Sequence, residues 1–276
     1  MIPVLGSLAI GIGYSVVVGW FLRFLWGSLS GSMFHAADVS AYFGEIAGDF
    51  GSVGWHMAGL AVTFLIMALG VSKGIEKMNK IMMPLFFVFF LFLMVRVLTL
   101  GNAGEGYRYL FVPKWEYLAQ PKTWVFALGQ AFFSLSLAGS GTLVYGSYLS
   151  KDVDVVGSAR NVAFFDTCAA ILAGLVVIPA VFAFGLDVSA GPPLMFITLP
   201  EVFRQMPFGK VFAVVFFVAV LFAAVTSLMN LFETPIEALQ AQFGLSRKMA
   251  VVITAFAAAA VGVFIESADM VSVWMD

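Results

Sequence analysis

The chain has 276 residues, 62% hydrophobic and 11% charged, a balance that no water-solvated core of this length requires. The solvent is therefore read as lipid, and a net charge of -2 argues against a nucleic-acid partner. A single cysteine, Cys168, excludes an intrachain disulfide and any multi-cysteine metal site.

Thirty Phe and fourteen Met, with the charges confined to short clusters, suit helices apolar on every face rather than the alternation of a membrane barrel. A bilayer core about 30 Å thick needs roughly 20 helical residues. Seven stretches meet or approach that length, at about 3–26, 56–72, 81–100, 124–148, 157–185, 209–235 and 248–265. The expected fold class is an all-α membrane protein of about seven transmembrane helices in one domain, 1–276. Met1, Ile2 and Pro3 run straight into apolar sequence, so no signal peptide is expected.

In the first span, Tyr14 and Ser15 interrupt apolar sequence among Gly11, Gly13 and Gly19, a pattern of close helix packing. His35 and His56 lack ligand-like spacing and read as loop-end residues. Pro84 is expected in the first turn of the third span, where its missing N–H costs little. The longer connections, 27–55, 101–123 and 186–208, carry apolar runs and are expected to fold back as caps or lids.

The fourth span places Ser134, Ser136, Gly139, Ser140, Gly141 and Thr142 near its middle. Either the helix opens there around a cavity or ligand, or small residues let two helices pack closely. Asp166 lies inside the fifth span, six residues from Arg160 and so off its i,i+4 face. A carboxylate at that depth costs about 2.5–3.5 kcal/mol on insertion scales, which points to an ion or proton site or to a structural partner elsewhere. Gly191, Pro192 and Pro193 break the chain after the fifth span.

In the sixth span, Ala223, Thr226 and Ser227 share one helical face. Their oxygens suit a small hard cation, and the competing reading is that both hydroxyls bond back to the preceding turn. Glu233 and Glu237, around Pro235, are expected at the wet end of that span. Lys and Arg are balanced between the two sides, but the short connections around 73–80, 149–156 and 236–247 hold them more densely, which places 73–80 in the cytoplasm. No nucleotide loop, Ser-His-Asp arrangement or metal cluster is visible, so an enzyme is not expected.

Several segments in one order resemble the neurotransmitter:sodium symporter family, in particular its bacterial amino-acid transporters. They are Ser72 to Lys77 with Lys80 to Pro84, Gly129 to Ser136, Tyr145 to Tyr148, Phe196 to Phe203, and Ser246 to Lys248. The match begins at what looks like the family's third transmembrane helix and ends just after its ninth. The chain is thus expected to be incomplete relative to the family, lacking the first two and the last helices.

The resemblance implies an inverted-repeat sodium symporter fold, present in part, with substrate held near the midplane between discontinuous helices. It implies a substrate site of Ile10, Tyr14, Phe133, Ser134, Ser136, Gly139, Ser227 and Leu231. Sodium ligands would be Ala223, Thr226 and Ser227 at one site and Ser134 and Asp166 at another. Some relatives have Asn at the Asp166 position and need chloride, so a carboxylate there implies a built-in substitute for that anion. Ala241 stands where relatives often carry an acidic gate residue, which departs from the pattern. The implied function is uptake of a small, hydrophobic amino acid driven by sodium as coupling ion, with no other cofactor. It would take place in the inner membrane of a bacterium and within a longer transporter that supplies the missing helices. The alternative is a non-transporting membrane fragment from a truncated or split gene.

Overall fold

The computed structural model describes residues 2–137, 140–186 and 191–267, and among these every regular element is helical. The first span is α1, Ile2–Ser30. Short helices α2, Ser32–His35, and α3, Val39–Ala47, follow in the first long connection. Asp38 starts α3 by accepting hydrogen bonds from the backbone N–H groups of Ser40 and Ala41, which supplies the acceptor that an N-terminus lacks. Next come α4, Val53–Ala68, a π-helical turn over Val71–Glu76, and α5, Lys77–Leu98.

The third span therefore begins ten residues before 81, and Pro84 lies inside it rather than in its first turn. The lysines that seemed to end the hydrophobic run sit on the helix with their charges outward. Lys80 pairs with Glu76 at 2.6 Å, and its side chain remains 73% exposed.

The second long connection holds α6, Ala103–Phe111, and a short 3-10 turn, Trp115–Ala119. The fourth span is two helices, α7, Pro121–Ser134, and α8, Gly141–Ser147. Then follow α9, Val155–Ala183, a π turn Leu194–Thr198, α10, Leu199–Gln205, α11, Gly209–Phe243, and α12, Arg247–Glu266. Five of the helical stretches are long and apolar enough to cross a membrane. The α4 helix is a shorter apolar helix, and α7 with α8 is interrupted.

The core forms where α11 packs along α1, with α4, α5 and α12 around them. Phe216, Phe217, Leu228, Met229 and Phe232 of α11 are fully buried there with Val16, Val18 and Phe24 of α1. The first and third long connections pack together as a cap, whereas the second keeps Trp115–Ala119 without a buried residue. Phe43 of α3 stacks on Phe196 of the π turn at 5.1 Å between ring centroids, and Trp20, Phe21 and Phe24 close round the same ring. On a neighbouring stretch, Tyr109 of α6 meets Phe182 of α9.

Among the buried polar residues of this core, His56 and Glu233 depart from their sequence readings. His56 is not at a loop end. It is 0% exposed, with Nδ1 2.8 Å from Glu266 Oε1 and Nε2 2.8 Å from Ser15 Oγ. Ser52 bridges Trp20 Nε1 and the other Glu266 oxygen. The ring fits because Gly262 faces it and Gly19 lies against its backbone.

Glu233 is not at a wet helix end, because α11 continues through Pro235 to Phe243. Gly244, at φ 64°, then turns the chain so that Arg247 returns to meet Glu233 at 2.8 and 2.9 Å. Tyr148 donates to the same carboxylate and to Glu237. His35, by contrast, does lie at the end of α2, as read.

Candidate functional site

The site is built on the break between α7 and α8. Ser136 and Ser140 adopt φ 54° and 60°, left-handed values that a non-glycine residue rarely takes and that close the helical ladder to both sides. The freed backbone groups are partly satisfied locally. Leu137 N–H donates to Phe132 O at 3.0 Å, and Thr142 Oγ1 donates to the carbonyl of Leu135 at 2.5 Å. Of the two sequence readings, an opened helix is what forms.

The break sends the two serines in different directions. Ser134 Oγ donates to Asp166 Oδ1 of α9 at 2.5 Å, so Asp166 finds its partner on another helix rather than in Arg160. Ser136 Oγ instead accepts from Asn230 Nδ2 of α11 at 2.7 Å. Ile10, Phe133, Ser136 and Leu231, all expected at a substrate site, line one small cavity together with Ser7, Gly141 and Asn230. One turn along the same two helices lie Tyr14 of α1 and Ser227 of α11. Gly139 lies outside the described residues.

The expected ion ligands fall into two groups. Thr226 Oγ1 donates to the Ala223 carbonyl at 2.9 Å, so back-bonding holds for that hydroxyl. A hydroxyl has one proton and two lone pairs, and a carbonyl also has two lone pairs. The Thr226 hydroxyl, having given its proton to the Ala223 carbonyl, keeps its lone pairs for a hard cation, and Ser134 with Asp166 offers a hydroxyl beside a carboxylate. Among the described residues, no group of three or more His, Cys, Asp or Glu could hold a metal, so any ion here relies on neutral oxygens and one carboxylate.

Sequence reasoning missed Asn230 and Ser7. Asn230 lies four residues beyond Thr226 and three beyond Ser227, on a neighbouring part of the face already singled out, so its polarity within an apolar run was the available signal. Ser7 Oγ donates to the Leu231 carbonyl at 2.8 Å, a link across 224 residues that nothing local announces.

An interrupted helix, with hydroxyls and a carboxylate at the interruption and a small cavity beside it, set among five helices long and apolar enough to cross a membrane, marks an all-α integral membrane protein. Residues 34–275 match the model of the sodium:neurotransmitter symporter family, and the chain belongs to that family. It is 41% identical to the uncharacterized sodium-dependent transporter YhdH of Bacillus subtilis (strain 168), over 80% of this chain and 49% of the relative. An uncharacterized sodium-dependent transporter of Haemophilus influenzae is 33% identical, over 91% of this chain and 56% of the relative. Among solved structures, MhsT in complex with L-phenylalanine superposes with a TM-score of 0.88 at 37% identity, covering 97% of this chain and 61% of that chain. The chain thus spans about half the length of these curated relatives. They are transporters, not enzymes.

Proposed function

We propose that this chain is the central part of a sodium-coupled symporter for a small, hydrophobic amino acid, working by alternating access in the inner membrane of a bacterium. The observation that carries this reading is the break between α7 and α8, which directs Ser134 to Asp166 and Ser136 to an apolar cavity. The likeness to MhsT, whose crystal structure contains L-phenylalanine, supports an amino acid as cargo. Residues 1–276 form one transmembrane domain, incomplete relative to the family, and helices of the full transporter complete the site.

In this reading, Ile10, Phe133, Leu231 and Gly139 shape the pocket for the substrate side chain. Tyr14, Ser134, Ser136 and Ser227 contribute its polar atoms. Sodium takes the Ala223 carbonyl and the hydroxyls of Thr226 and Ser227 at one site, and Ser134 and Asp166 at the other. The Asp166 carboxylate offsets the sodium charge, so chloride is not needed.

The test is uptake of labelled amino acids by the full-length gene product, with sodium and then with potassium in its place. Sodium-dependent uptake that persists when gluconate replaces chloride is expected, with Asp166→Asn restoring a need for chloride. Uptake indifferent to sodium would remove the reading. Liposomes carrying the 276-residue chain alone are expected to show no saturable uptake.

A further inference from the structure

The helical stretch Val71–Leu98, the π turn together with α5, has 28 residues and is about 42 Å long at 1.5 Å per residue. A hydrocarbon core about 30 Å thick takes roughly 20 of them. Counted from Leu98, the core is used up near residue 79, so the turn that carries Lys73 and Lys77 stands in the headgroup layer. There Ser72, Lys73, Glu76, Lys77 and Lys80 line an open cleft of about 480 Å³.

The cleft has a surplus of positive charge. Lys80 pairs with Glu76 at 2.6 Å, and the Ser72 hydroxyl donates to the same carboxylate. Among the described residues Lys73 and Lys77 have no ion-pair partner, so three lysines face one glutamate and two charges stay unanswered. The steps of three and four that join Lys73, Lys77 and Lys80 continue along the same stripe through Val88, Leu91 and Val95, and all six residues are exposed. The packed side of α5 is the other one, where Phe86, Phe90 and Leu93 are buried. A free phosphate ion would ask only for the charges. A phospholipid asks for cations at headgroup depth with apolar surface directly beneath them, and this stripe has both.

We propose that this cleft is a binding site for an anionic phospholipid, with Lys73 and Lys77 holding its phosphate and an acyl chain lying along Val88, Leu91 and Val95. Glu76 keeps Lys80 occupied, so the preference for an anion rests on the two free lysines. A lysine near the membrane surface favours an anionic lipid by roughly fivefold. A zwitterionic headgroup brings its own ammonium, which the same lysines repel, so net charge is what the site selects.

The test is retention of phosphatidylglycerol against phosphatidylcholine of equal chain length by the full-length protein in detergent, counted by native mass spectrometry. The wild type is expected to hold phosphatidylglycerol about tenfold more tightly. Lys73→Gln with Lys77→Gln is expected to bring the two lipids within about twofold, each single change to lose about threefold, and the pair Lys73→Arg with Lys77→Arg to keep the preference. Lys151→Gln, which removes an exposed lysine outside the cleft, is expected to change nothing. Inorganic phosphate is expected to leave the lipid bound at concentrations where a short-chain phosphatidylglycerol displaces it. Equal retention of the two lipids by the wild type would overturn the proposal, and so would a preference that survives in the glutamine pair or is lost as much in Lys151→Gln. Displacement by inorganic phosphate as readily as by the short-chain lipid would assign the cleft to a free anion and overturn it equally.

Discussion

The junction of α1, α4 and α12 and the flank formed by α7 and the first half of α9 both hold polar residues in apolar helices, yet they treat them differently. At the junction, Ser15 donates to the Ile12 carbonyl at 2.6 Å and so accepts from His56 Nε2–H. The other side of the ring meets Glu266, whose second oxygen takes the Ser52 hydroxyl, and Ser52 accepts from Trp20. Every named donor there has an acceptor, and none of these side chains is more than 3% exposed.

Along α7 no residue is buried, and Asp166 on α9 is half-buried with Ser134 as its one hydrogen-bonded partner among the described residues. A closed polar set locks helices together, whereas an open one keeps lone pairs for something else. The difference separates structural polar residues from candidate binding ones more sharply than depth in the helix does.

The largest effect is expected from opening the closed set. Glu266→Ala or His56→Ala leaves the partner buried without its counterpart, and breaking a buried pair in this way costs about 3–5 kcal/mol. The pair His56→Leu with Glu266→Leu removes both polar groups and is expected to lose less than either single change. Thermal unfolding in detergent checks this, and additive losses in the double variant would mean that the two residues do not act as a pair.

Next in size, Gly262→Ala places a methyl against the His56 ring, an overpacking of about 1–3 kcal/mol. Gly129→Ala, on α7, meets nothing within 4 Å, and in the 276-residue chain it is expected to be neutral or stabilising by up to about 1 kcal/mol through helix propensity alone. Equal midpoints for the two variants would erase the contrast between the regions.

The smallest change concerns the ion ligands. Thr226→Val with Ser227→Ala in the full-length protein removes two hydroxyls while nearly keeping volume, and the sodium half-saturation of uptake is expected to rise about tenfold, about 1.4 kcal/mol. An unchanged value would leave both hydroxyls without a part in binding the ion.

Much of the fold is legible in local sequence. The limits expected for the first, fifth and seventh spans fall within four residues of α1, α9 and α12, because a hydrophobic run bounded by polar connections reports lipid depth directly. The third span was read ten residues short, because Lys73, Lys77 and Lys80 look like a boundary although long side chains keep their charges outside a continuing helix. At the site, the small and hydroxyl residues around Ser136 raised the break as one of two readings, since helix propensity is a property of the residues themselves, and the structure chose it. Four of the residues expected at the substrate do line one cavity. Asn230 was passed over, because the bond its amide N–H makes to Ser136, 94 residues away, exists only in the folded chain.

By itself the sequence determined that the solvent is lipid and roughly where the chain crosses it, because hydropathy acts over one span, and it left the fourth span with two readings. Only the tertiary structure decided which polar residues answer each other. Asp166 meets Ser134, Glu233 meets Arg247, and His56 meets Glu266 across 210 residues. A buried polar group costs or stabilises according to the partner within hydrogen-bond distance, and in a helical membrane protein that partner is set by which helices pack, not by which residues are near in the chain.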